Sequence, residues 1–164
     1  MKKLLFFFIA LAGISQLACG QGSRKSPHET VSNDDVSITY GRPYKKGREV
    51  FGKLEKYGQV WRTGADEATE ITFKRDMTFA GKPVKAGTYT LFTIPNETAW
   101  TIILNSKLGE WGAYGYEKIK DKNVLESTVP VKKLSQPIEQ FTIAVPKGAV
   151  VLSWDVVEVT IPAL

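Results

Sequence analysis

From Val36 onward the chain repeats one device: a short run of alternating apolar and polar residues, then a turn built on glycine or proline. A period of two puts successive side chains on opposite faces of a strand, so each run has one face to bury. Val36, Ile38 and Tyr40 alternate with Ser37 and Thr39, and Gly41-Arg42-Pro43 closes that run because proline cannot donate to a central ladder. Glu70 to Arg75 alternates again and continues through Met77 to Phe79 into the turn Ala80-Gly81-Lys82-Pro83. Thr88 to Ile94 is dense in β-branched and aromatic residues, and Trp100 to Leu104 returns after Pro95-Asn96. Further strands are expected at Val124 to Val131, Ile138 to Val145, Val150 to Trp154 and Val156 to Ile161. With no long helical period after the leader, the pattern predicts an all-β fold. The expected form is a single antiparallel β-sandwich, jelly-roll or Ig-like, of about eight to nine strands.

Residues 1–20 stand apart. Met1-Lys2-Lys3 is a short basic start, Leu4 to Ile14 an apolar run, and Ser15 to Gly20 a small, polar exit. This is the anatomy of a secretory signal peptide, too short for a comfortable membrane span. Export to the periplasm or cell envelope is therefore expected. Two fates fit the boundary. Ala18-Cys19-Gly20 before Gln21 suits ordinary cleavage, whereas Leu17-Ala18-Cys19 resembles a lipobox that would leave a lipid anchor on Cys19. Gln16 stands where lipoproteins usually carry an aliphatic residue. Any membrane attachment would come through that anchor alone. Residues 21–35, which contain Ser, Gly, Pro, Lys and Asn and hardly any apolar residue, read as a flexible tether, and residues 36–164 as the β-sandwich domain.

Composition narrows the chemistry. Cys19 is the sole cysteine and His28 the sole histidine, which leaves no Cys/His zinc set. Nothing implies a cofactor. Without Lys2 and Lys3 the balance is 20 basic to 17 acidic residues, scattered rather than clustered, so nucleic acid is not an expected partner.

The groups that could carry a function gather around Gly58 to Glu70, G-Q-V-W-R-T-G-A-D-E-A-T-E. Arg42, Arg48 and Arg62 each lie near a glycine or proline turn. Together they could converge on a carboxylate, phosphate or sulfate, which guanidinium grips with a two-donor fork. Otherwise each pairs with Glu49, Glu55, Asp66 or Glu67 on the surface. Trp61, Trp111, Tyr114 and Tyr116 sit in glycine-flanked loops, where rings either pack or stack on a ligand. Trp100 and Trp154 lie in strands and are expected in the core. Asp66, Glu67 and Glu70 raise the question of a glycosidase, which needs two carboxyls suitably spaced, one held protonated. Adjacent carboxylates in an exposed loop are poorly suited to that. A nucleophile elbow, a phosphate loop and a dinucleotide fingerprint are all absent from the sequence.

Several blocks carry a resemblance. They are Ile38-Thr39-Tyr40-Gly41-Arg42-Pro43, Gly47-Arg48 with Val50-Phe51-Gly52, and Val60-Trp61-Arg62-Thr63-Gly64-Ala65 with Glu67-Ala68-Thr69. Ala86-Gly87-Thr88-Tyr89, Ile94-Pro95, Trp100-Thr101 and the closing pattern around Trp154 and Ile161 extend it. Together they resemble the domain of unknown function 2911 family of exported bacterial proteins. That family commonly has Asn where this chain has Asp66. The resemblance implies an exported single domain and supplies no reaction. The leading expectation is a non-enzymatic envelope domain binding a small anionic or sugar-like ligand, or a partner protein, through Arg42, Arg48, Trp61, Arg62, Asp66, Glu67, Trp111 and Tyr114. A purely structural envelope role is the alternative, and a glycan or ester hydrolase using Asp66, Glu67 or Glu70 the third.

Overall fold

The computed structural model describes residues 26–164, and the expected signal peptide with Cys19 lies outside them. Nine strands follow one another: β1 His28–Ser32, β2 Val36–Gly41, β3 Glu70–Phe73, β4 Met77–Phe79, β5 Lys82–Val84, β6 Gly87–Ile94, β7 Ala99–Asn105, β8 Asn123–Ala144 and β9 Ala149–Pro162. Two short 3-10 turns, Tyr116–Lys118 and Lys120–Lys122, precede β8, and there is no α-helix among the described residues. Seven strands form one antiparallel sheet in the order β1-β2-β3-β6-β7-β8-β9, curled into a half-barrel, and β4-β5 is a separate ribbon.

The all-β expectation is met, but one curled sheet does the work expected of two stacked sheets. The reason lies in β8. The sequence suggests a break at Pro137, yet the strand runs on through it. Its first part pairs with β7 as far as Pro130, and its later part pairs with β9. Between Lys133 and Ile138 the strand advances five residues while its partner moves from Val157 to Asp155, and a second slip follows before Thr142. Extra residues on one strand bend it and increase its twist, and Pro137, without an N–H, sits where no ladder bond is required. On the facing strand Asp155 takes a positive φ of 52°. The bent strand swings its far end back over the start of the sheet. Phe141 N–H donates to Pro43 O at 2.9 Å and Lys45 N–H to Glu139 O at 2.7 Å.

Part of the span expected as a tether, residues 21–35, is a strand instead. His28–Ser32 forms edge strand β1, in register from His28 opposite Gly41 to Ser32 opposite Ser37. With one aliphatic residue among the five and an exposed outer edge, it carries no alternation signal.

Inside the curl sits an aromatic core. Trp61 stacks on Trp154 at 5.9 Å and meets Trp100 and Phe141 edge-on at 5.9 and 5.0 Å. Phe51 adds a fourth wall against Trp100 at 4.8 Å. Edge-to-face contacts of this kind add to the burial energy of each ring. A smaller cluster covers the outer face of β6 and β7, where Tyr116 and Ile119 lie on Phe92 and Ile103. That explains why β6 is apolar on both faces. No helix among the described residues is long and apolar enough to cross a membrane.

Candidate functional site

The Gly58 to Glu70 loop is strapped to β6. Trp61 N–H donates to Thr93 O at 2.8 Å, and Thr93 N–H returns to Trp61 O at 3.0 Å. Thr69 N–H closes the loop onto Arg62 O at 3.1 Å. Its hairpin bend is made by Thr63 and Asp66, both at positive φ (56° and 64°). Asp and Asn tolerate the left-handed region better than most residues. Backbone conformation at position 66 therefore accommodates either one.

The loop's aromatic anchor faces inward. Trp61 is 3% exposed and donates its indole N–H to Gly64 O at 3.2 Å. Of the two roles open for it, packing is the one its burial serves. Arg62, the next residue, turns outward, and the loop separates two concavities.

On one side lies a cavity of about 290 Å³ lined by Lys46, Arg48, Glu55, Arg62 and Tyr44. It adjoins a second compartment of about 430 Å³ that shares Leu54, Glu55 and Arg62 and adds Gln59 and Tyr114. Arg48 donates from Nε to Lys45 O at 2.9 Å and from its terminal nitrogen to Tyr44 O at 2.6 Å. Arg62 donates to Asp66 O at 3.2 Å. Each guanidinium has five N–H donors, so most remain uncommitted. Among the described residues neither arginine forms an ion pair with a carboxylate, whereas Arg42 does so with Glu29 at 2.7 Å. Arg42 also donates to Phe141 O and to Thr142 Oγ1, which ties β2 to the far end of β8. The structure thus brings together Arg48 and Arg62 and uses Arg42 as a brace.

Glu55 is the group that sequence reasoning passed over, treating it only as a surface partner for arginine. Burial pushes its carboxyl up to about 7, against the opposing pull of Arg62 and Arg48. Only the fold brings it between them, so no local motif marks it.

On the other side of the loop, His28, Glu67 and Glu70 line a cavity of about 300 Å³. His28 Nε2 lies 3.2 Å from Glu67 Oε2 and 3.6 Å from Asp66 Oδ2. Glu70 Oε1 accepts from Gly109 N–H at 3.1 Å. The histidine read as tether surface thus belongs to the fold's edge, beside the loop's carboxylates. Among the described residues no group of three or more His, Cys, Asp or Glu is placed to hold a metal ion.

The Asn105 to Tyr116 segment both plugs and presents. Tyr116 is buried against Phe92 at 5.3 Å, while Trp111 and Tyr114 are 59% and 84% exposed. The segment is zipped to the central loop by Ala68 N–H to Glu110 O and Gly112 N–H to Asp66 O. Tyr114 lies with its ring 5.8 Å from the Arg62 guanidinium carbon, at the edge of the arginine cleft. Trp111 lines neither cavity.

Residues 23–163 match the family model described as "Protein of unknown function (DUF2911)". The chain belongs to this family. No curated protein and no solved structure matches it. Membership covers the whole half-barrel, including both sides of the central loop, and assigns no reaction to either.

Proposed function

We propose that this protein is an exported envelope domain that binds a small anionic ligand in the cleft between Arg48 and Arg62, without transforming it. One observation carries the reading: two guanidiniums line the same concave surface, and among the described residues neither is neutralised by a carboxylate within ion-pair distance. Lys46 adds a third positive charge to the lining. Fork-shaped donors lining an open cleft suit a carboxylate, sulfate or phosphate.

Isothermal titration of the protein with acetate, sulfate and phosphate tests this. Saturable binding of at least one anion is expected, weakened about tenfold or more by Arg48→Ala and by Arg62→Ala. Affinity should also rise as pH falls through about 7, because Glu55 then gains its proton and its negative charge leaves the cleft. Glu55→Gln should flatten that dependence. Absence of saturable binding by all three anions would remove the reading.

A structural role for Arg62 has one supporting contact, its bond to Asp66 O. If that were its whole purpose, Arg62→Ala would lower the thermal midpoint sharply and leave anion affinity untouched.

A further inference from the structure

The arginine cleft does not end at its cationic compartment. The second, larger space beyond Glu55 has a different lining: Leu54 and Ala113 offer aliphatic surface, Gln59 and Glu55 offer polar atoms, and Tyr114 offers a ring. That ring lies against Gly112. An added Cβ on Gly112 would come within 2.7 Å of the Tyr114 ring and 3.3 Å of an Arg62 terminal nitrogen, so the ring lies directly over the glycine and beside the guanidinium. With one side seated on Gly112 and 84% of the residue exposed, Tyr114 presents a flat surface to solvent. An inorganic anion has no use for such a surface. A pyranose ring does: its C–H face stacks on an aromatic, and its hydroxyls donate to carboxyl and amide oxygens.

We propose that the ligand is an acidic sugar chain, with a uronate carboxylate held by Lys46, Arg48 and Arg62 and the neighbouring sugar ring stacked on Tyr114. This rests on the reading of the cleft as an anion site and adds to it the class of ligand. The two compartments, about 290 and 430 Å³, share Leu54, Glu55 and Arg62 as a common wall. They are sized like small-ligand sites, typically about 300–1,000 Å³. A chain of at least two sugar units reaches both. Glu55 at the junction is placed to accept hydroxyl hydrogen bonds from either unit.

The test is calorimetric, on the full chain, with trisaccharides of galacturonate and of glucuronate as ligands. Controls are tricarballylate (an acyclic tricarboxylate of equal charge), a neutral glucose trisaccharide, and acetate. At least one uronate trisaccharide is expected to bind about tenfold or more tightly than tricarballylate, and the neutral trisaccharide not measurably. Tyr114→Ala, at an exposed position, should cost the uronate about fivefold to tenfold more than it costs acetate. Equal binding of uronates and tricarballylate, or a Tyr114→Ala variant with unaltered preference, would overturn the sugar assignment while the anion site stands. Failure of every charged ligand, acetate included, would overturn both.

Discussion

Glu55 faces two guanidiniums and still holds its proton to about pH 7, because loss of hydration outweighs their attraction. The consequence for stability has a definite sign. The folded-state value lies above the unfolded value of 4.5, so the native protein binds the proton more tightly between the two. Stability is therefore highest below about pH 4.5 as far as this group is concerned. It falls as pH climbs to about 7 and stays reduced above. Allowing for solvent screening, the loss is on the order of 2 kcal/mol. Urea midpoints of wild type and Glu55→Gln, compared from about pH 5 to about pH 8, should diverge, with the variant relatively more stable at the alkaline end. Parallel curves would show that the carboxyl is not buried as described. Trp61 makes a different prediction. As the centre of the aromatic core, its replacement by Ala should cost about 3–5 kcal/mol in chemical unfolding. The neighbouring Arg62→Ala should cost far less, because among the described residues its guanidinium makes one backbone bond and a ring contact.

At the scale of elements, the strands with clear alternation are the ones that the sequence makes legible. β2, β3, β6 and β7 each bury one or both faces against the core, and their periods say so. β1 is hidden because a polar edge strand leaves no period to read. β8 and β9 are hidden for the opposite reason. Pro137 and Asp155 look like ends of strands, but bulges and one left-handed residue let the chain bend without stopping. Two close contacts hold the bent sheet to the loop region. Gly41 at the end of β2 lies flat under the loop, and a Cβ there would sit 2.2 Å from Ala65 O. Because that neighbour is backbone and cannot swing away, Gly41→Ala should destabilise by about 1–3 kcal/mol or more, read by thermal melting. Lys45 Nζ lies 2.8 Å from Asp155 Oδ1, with Asp155 itself buried. Removing the carboxylate by Asp155→Ala strands a cation and adds a strained backbone position. A loss of about 3 kcal/mol or more is expected.

At the scale of the whole molecule, the curl of the sheet decides which candidate residues meet. Arg48, Arg62 and Tyr114 arrive from three separate stretches on one side of the central loop, while Asp66 and Glu67 face His28 on the other. Residue type and turn chemistry pointed to the arginines and to the exposed ring. Neither could distinguish Arg42, satisfied by Glu29 and the far end of β8, from the two arginines left with donors to offer. Nor could they find Glu55 or Lys46, whose relation to the cleft exists only after folding. In the proposed function Arg48 and Arg62, and not Arg42, thus form one anion site. NMR detection of the arginine Nε–H groups during titration with sulfate tests it most directly. The Arg48 and Arg62 signals should move together along a single saturating curve while Arg42 stays still. Signals that stay put, or three arginines drifting alike in proportion to added salt, would contradict it.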